Sequence, residues 1–266
     1  MENFHFHTPK TIADAVAARR AAPEGKFLAG GQSLIPVLKL ELAQPTDLVS
    51  LAGLRKQLCS IKLDGDSVVI GALTTHAEVH ASEVVQKHIP ALARLAGGIG
   101  DAQVRNRGTL GGSVAHADPA ADYPAALVAL DAIVQTDRRS IPAAGFFKAM
   151  FETALQSDEL ITEVRFKKPD HAGYAKFANP ASKYALAGVF VARHGPSVRV
   201  AVTGASTVVF RVPAMEAALA KAFAPESLAG ITVAQDDLIN ERDASPDYRA
   251  QLVATMARRA VEQAVA

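Results

Sequence analysis

The spacing of apolar and polar positions changes several times along the chain, and each change marks an element. Thr11-Ile-Ala-Asp14 opens a helix: the Thr hydroxyl accepts from amides that the first turn leaves unpaired, and the acid suits the positive helix end. Pro23-Glu24-Gly25 stops that helix, and 26–29 reads as a short strand. Ser33 then stands where an N-cap is expected for a helix running through LIPVLKLEL, with Pro36 in its first turn. LVSLAGL and CSIKLDGDSVVIGAL read as strand pieces, with Asp64-Gly65 as a hairpin turn. Thr75-x-x-Glu78 is a capping box, and a longer helix is predicted over 89–97. ELITEVRF and GYAKFANPASKYALAGVFVARH read as strands, and SVRVAVTGA alternates with period two. Helices follow over 213–222 and 246–264, the second with Ser245 as cap and Pro246 at its first position. Strands followed by helices predict a small α+β domain at the C-terminal end.

Composition narrows the classes. The 266 residues correspond to about two domains at roughly 150 residues each. With 49% hydrophobic and 21% charged residues the chain is an ordinary globular mixture, which excludes wholesale disorder. Basic and acidic residues number 28 and 27, so the charge excess of a nucleic-acid binder is missing. The apolar runs are too short for a bilayer, and MENFHFHTPK lacks the pattern of a secretory signal, so a soluble, cytoplasmic protein is expected. The single cysteine, Cys59, rules out an internal disulfide, a Cys-x-x-Cys pair and a Cys-ligated iron–sulfur cluster on this chain; it is expected to be a small buried hydrophobe.

Common catalytic motifs are missing: there is no G-x-x-x-x-G-K-[ST], no G-x-G-x-x-G and no G-x-S-x-G. His76 and His80, four apart, and His5-x-His7 are expected to be surface histidines, so no metal site and no acid–base catalyst is predicted. Two glycine-rich loops remain, Ala29-Gly30-Gly31-Gln32-Ser33-Leu34 and Thr109-Leu110-Gly111-Gly112-Ser113. Each could be a tight junction between elements. Bare amides at such loops, with the positive end of a following helix, also make a phosphate site, and two loops of matching chemistry suit a diphosphate. The residues alone specify a phosphate-rich ligand and go no further.

AGGQSLIPVLKLEL, IGALTTHAEV, VRNRGTLGGSVAHADPAADYPAALVALDA, DELITEVRF and KYALAGVFVA together resemble the FAD-binding medium subunit of the molybdenum hydroxylases, the carbon monoxide dehydrogenase and xanthine dehydrogenase family. The resemblance runs through the whole chain in order. It implies an α+β chain with a vanillyl-alcohol-oxidase-type FAD-binding fold over 1–170, in two α/β subdomains of about 1–55 and 56–170, and an α+β domain over 171–266. It implies that the loop of Ala29, Gly30, Gly31, Gln32, Ser33 and Leu34 holds the diphosphate, and that Thr109, Gly111, Gly112 and Ser113 close over the adenine-side half and the diphosphate. Asp122 matches an acid that bonds the ribityl chain, Ile161 an apolar contact to the ring system, Lys176 a basic residue near the isoalloxazine, and Tyr184 an aromatic over one flavin face.

Gln32 and Ser113 depart from the His and Asn of many relatives, but both keep a hydrogen-bonding side chain. The implied function is oxidoreductase electron transfer. A large partner would carry the molybdenum cofactor, a small partner two [2Fe-2S] clusters, and this chain FAD, within a dimer of heterotrimers (a heterohexamer) that passes electrons to an external acceptor. The alternatives are a stand-alone flavin oxidoreductase of the same fold and a scaffold without flavin.

Overall fold

The computed structural model describes residues 3–266, so Met1 and Glu2 at the head of MENFHFHTPK lie outside the described residues. The chain opens with β1 (His5–His7), α1 (Ile12–Ala21), β2 (Lys26–Leu28), α2 (Leu34–Lys39) and β3 (Asp47–Ser50). Its strands form a parallel sheet of order β1-β3-β2, in which Leu48 lies opposite Phe6 on one side and Lys26 on the other. Thr11 caps α1 as expected, accepting from the Asp14 amide. Ser33 does not cap α2: its backbone is already helical (φ −102°, ψ −48°) and its hydroxyl makes no capping bond. The helix also ends at Lys39, short of the full LIPVLKLEL run, and Glu41 turns the chain with φ 57°.

The central part holds α3 (Arg55–Leu58), β4 (Ile61–Asp64) and β5 (Ser67–Gly71). Five helices follow: α4 (His76–Ala81), α5 (Glu83–His88), α6 (Pro90–Gly97), α7 (Ala102–Arg107) and α8 (Leu110–His116). Next come α9 (Tyr123–Ala129), β6 (Ile133–Thr136), β7 (Ser140–Pro142), the short pair β8 (Phe147–Ala149) and β9 (Glu152–Thr153), and β10 (Ile161–Lys167). An antiparallel sheet of order β4-β5-β10-β6-β7 results, with Gly65 (φ 57°) in the tight β4–β5 turn. Val68 and Ile70 of β5, Val164 and Phe166 of β10, Leu92 and Leu95 of α6 and Leu127 of α9 share one core. Each such side chain contributes about 1.5–3 kcal/mol on burial, which locks the helical layer onto one face of the sheet.

The remaining strands, β11 (His171–Ala178), β12 (Ala185–His194), β13 (Ser197–Thr203) and β14 (Phe210–Arg211), form an antiparallel sheet in that order, followed by α10 (Pro213–Lys221) and α11 (Pro246–Val265). β12 is buried continuously from Ala185 to Ala192 because helices cover both faces. Val189 and Val191 face the cluster made with α10 and α11, while Phe190 and Ala192 join the central core, the alternation a pleated strand imposes. This sheet therefore packs directly on the central part. Cys59 is half-buried rather than buried: its thiol points to the Glu78 carboxylate at 3.7 Å. Among the described residues no helix is long and apolar enough to cross a membrane.

Candidate functional site: a cleft between two glycine loops

A cleft of about 790 Å³ runs between the parallel sheet and the central part. Its lining includes both glycine loops, the start of β10 and the turn before β12. Ala29, Gly30, Gly31, Gln32, Ser33, Leu34, Thr109, Gly111, Gly112, Ser113, Asp122, Ile161 and Tyr184 all face it, so residues scattered over more than half the sequence meet on one surface.

The first loop leaves the sheet after Leu28, whose carbonyl accepts from the Leu51 amide. Gly31 reverses the chain with φ +78°, a conformation costly for a side-chain-bearing residue. The amides of Gly31, Gln32, Ser33 and Leu34 donate to no other described residue. With the Ser33 hydroxyl also free of capping duty, the loop offers a row of donors to the cleft, the chemistry of an anion nest.

The second loop is built differently, and here the expectation of bare amides fails. Leu110 and Gly111 donate to the carbonyls of Thr74 and Ala72, Gly112 donates to the Thr109 hydroxyl at 3.2 Å, and Ser113 donates to the Thr109 carbonyl. Its Gly111 serves packing, since a β-carbon there would sit 2.5 Å from that of Ala72; Gly30 of the first loop is likewise hemmed in, as a β-carbon on it would run into the Arg107 carbonyl. A β-carbon on Gly112 would meet that of Ala29 at 3.7 Å, so the loops touch. What this loop presents to the cleft is small side chains and the Ser113 hydroxyl.

Asp122 is buried at the cleft floor, 4% exposed, and does not cap α9. The backbone before it is carried by the C-terminal sheet. The Thr203 hydroxyl donates to the carbonyls of Pro119 (3.0 Å) and Ala121 (2.6 Å), Gly204 N–H donates to Pro119, and Ala185 N–H donates to Ala120. One carboxylate oxygen, Oδ1, accepts from the Tyr174 hydroxyl at 2.5 Å and the Lys176 ammonium at 2.8 Å. Burial pushes the Asp122 carboxyl up, while the Lys176 charge and the two hydrogen bonds hold it down. Burial also raises the Tyr174 phenol well above its ordinary value, so that hydroxyl stays a donor. Lys176 itself does not line the cleft: it lies behind Asp122 and also donates to the Lys183 carbonyl. Ile161 is buried at the start of β10, and Tyr184 projects at the rim, 45% exposed.

Two histidines differ from the surface role expected of His76 or were not anticipated. His76 is 4% exposed, its Nδ1 paired with the Tyr123 hydroxyl at 3.3 Å, and burial pulls its pKa to about 4. The capping box of Thr75 made position 76 look like an ordinary first-turn residue; what buries it is α7, some thirty residues on. His80 is exposed as expected, with Nδ1 tied to the Ala93 carbonyl. His116 packs its ring against Phe151 at 5.0 Å on the cleft wall, and Phe151 takes φ +58° to do so. The left-handed conformation of a Phe leaves no mark in the sequence. Among the described residues no group of His, Cys, Asp and Glu could hold a metal ion.

Residues 2–168 match the family model described as the FAD binding domain in molybdopterin dehydrogenase. The chain is 35% identical to the carbon monoxide dehydrogenase medium chain of Hydrogenophaga pseudoflava, covering 98% of this chain and 96% of that one. It is 36% identical to the nicotine 6-hydroxylase medium subunit of Paenarthrobacter nicotinovorans, over 97% and 96% of the two. Among solved structures, a reconstituted CO dehydrogenase from Oligotropha carboxidovorans superimposes with a TM-score of 0.88 at 30% identity, covering 99% of this chain and 98% of that one. Fold, cleft and relatives agree that the chain belongs to the FAD-binding medium-subunit family of the molybdenum hydroxylases.

Proposed function

We propose that this chain is the flavin-carrying electron-transfer subunit of a molybdenum hydroxylase, and that its FAD lies along the cleft between the two glycine loops. The observation that carries the reading is the row of unbonded amides at Gly31, Gln32, Ser33 and Leu34, facing a cleft whose other end offers Asp122, Ile161 and Tyr184. These residues fit the group. Four donors and a hydroxyl suit a diphosphate, a buried carboxylate suits a polyol hydroxyl, and an apolar residue with an aromatic at the rim suits a ring system. A cleft of about 790 Å³ is large enough for an elongated dinucleotide, since ligand sites run to roughly 1,000 Å³.

When bound, FAD supplies the redox chemistry; the chain's own residues bind it, orient it and limit access to it. The first loop anchors the charged middle. Asp122, fixed through Oδ1 by Tyr174 and Lys176, turns its carboxylate toward the cleft. Lys176 acts on this end through the Asp122 carboxylate it pairs with and through the turn that carries Tyr184.

With one cysteine this chain cannot ligate iron–sulfur clusters, so electrons would arrive from a small [2Fe-2S] partner supplied by a large molybdenum-cofactor partner. A dimer of heterotrimers delivering to an external acceptor is the assembly proposed. The substrate belongs to the large partner: relatives of this chain serve enzymes named for carbon monoxide and for nicotine. The sheets suggest a vanillyl-alcohol-oxidase-type division into 1–55, 56–170 and 171–266, with the flavin between the first two units.

The test is purification of the chain with its companions, followed by denaturation and analysis of released flavin, iron and molybdenum. FAD at one per chain, with iron and molybdenum on co-purifying chains, is the expected result. FAD on a chain that purifies alone and turns over a substrate would replace the reading with a stand-alone oxidoreductase. A chain that takes up no FAD in the presence of its partners would end it.

A further inference from the structure

We propose that Lys176 is a positioning residue that latches the 179–184 turn, which carries Tyr184, to Asp122, so that the floor of the cleft and its Tyr184 rim hold one fixed relation. Where the latch acts on bound flavin, it rests on the function proposed above. Tyr174 and Lys176 are two apart on β11 and therefore share a face, and both donate to the same Oδ1 of Asp122. Lys176 alone of the two reaches further: its ammonium also donates to the Lys183 carbonyl at 3.1 Å. An ammonium carries three donors in tetrahedral array, so one lysine can serve a carboxylate and a carbonyl together.

The turn at the other end of this link is strained and, apart from the bond that Asn179 Nδ2 donates to the Asp243 carboxylate at 2.8 Å, closed on itself. Asn179 N–H donates to the Tyr184 carbonyl, Lys183 N–H donates to the Asn179 carbonyl, and the Asn179 side-chain oxygen accepts from the amides of Ala181 and Ser182. Lys183 sits at φ +65°, a left-handed conformation that a lysine adopts only where its surroundings hold it. Its carbonyl is the atom that Lys176 grips, and Tyr184 is the next residue. Side-chain exposures of 11% for Lys176 and 5% for Asp122 shield the pair from water and make it stiffer than a surface contact. Lys176 itself is absent from the cleft wall, so its action on a ligand passes through Asp122 and Tyr184.

The test is hydrogen exchange on the full chain, with and without added FAD, for wild type, Lys176→Met, Lys176→Arg and Tyr174→Phe. The latch requires at least tenfold faster exchange across 179–184 in Lys176→Met, with β5 and β10 unchanged, and partial recovery in Lys176→Arg. Tyr174→Phe removes the other donor to Asp122 but keeps the latch, so its turn should exchange at the wild-type rate. Added FAD should slow exchange of the turn in wild type and lose that effect in Lys176→Met. Unchanged exchange of the turn in Lys176→Met, or equal loosening in Tyr174→Phe, overturns the latch. If Lys176→Met does not fold, Lys176→Gln, which removes the charge and shortens the reach of the donor, should loosen the turn in part, and no loosening there overturns the latch. Failure of FAD to bind would strike the function proposed above, while the comparison without FAD would still decide the latch.

Discussion

His76 and Gly108 fix one another. A β-carbon on Gly108 would lie 2.6 Å from Nε2 of His76, and the His76 amide donates to the Gly108 carbonyl at 3.0 Å. The ring is held from behind by the Tyr123 hydroxyl, so the first residue of α4 positions the chain just before Thr109 and the second glycine loop. Gly108→Ala is therefore expected to cost about 1–3 kcal/mol by overpacking, and combining it with His76→Ala should return part of that loss. Urea unfolding of the two single variants and the double variant measures the coupling; strictly additive effects would separate the two residues.

The same histidine makes stability depend on pH. Its pKa is about 4 in the folded chain against 6.5 unfolded, because burial disfavours the charged ring. Between those values the unfolded chain binds more protons, so stability rises with pH. The His76 contribution is complete above about pH 6.5 and is lost as pH falls toward 4, up to about 3 kcal/mol. His76→Asn should flatten the urea midpoint between pH 7 and 5, and an unaltered slope would assign it to other groups.

Ser33 and Thr109 look alike in sequence and differ in duty. Thr109 accepts from the Gly112 amide and caps α8, so Thr109→Ala should cost about 1 kcal/mol, whereas Ser33 caps nothing. Ser33→Ala is expected to leave the melting temperature within about two degrees and to weaken FAD binding several-fold, read by flavin fluorescence titration. A clear drop in stability would show that the hydroxyl serves the fold.

Gly30→Ala would drive a β-carbon into the Arg107 carbonyl and push the loops apart, so FAD affinity should fall at least tenfold. Gly145→Ala, at a glycine with nothing within 4 Å of its β-position, is the control and should leave affinity unchanged.

Arg249 of α11 is 1% exposed, with one terminal nitrogen on the carbonyls of Leu186 and Gly204 and the other on Glu241. Arg249→Met strands those carbonyls and should destabilise by about 3–5 kcal/mol in urea unfolding, with Glu241→Gln much milder because that carboxylate is mostly exposed.

The sequence made the site legible where local chemistry and ligand chemistry coincide. Clustered glycines announced both loops, and all their residues except Leu110, which is buried in the core, line the cleft. It misled where a local rule had a second solution. Ser33 stands in the position of a cap, but the backbone turns helical one residue early and leaves the hydroxyl unused. Bare amides were expected in both loops, yet the second satisfies its own because Ala72 and Thr74 run beside it. The pairing of Lys176 with Asp122 was not foreseen, and His76, read as a surface residue, is buried. Both depend on contacts across fifty and thirty residues, which no short pattern encodes.

The Thr203 hydroxyl and the Gly204 and Ala185 amides hold the three residues before Asp122, from a sheet that begins after the matched segment 2–168 ends. Domain shuffling has therefore little freedom here. A recombinant that inherits the flavin-binding segment and receives a foreign C-terminal module inherits an Asp122 without its support. The two halves must be transmitted together, and changes in one should track changes in the other across the lineage.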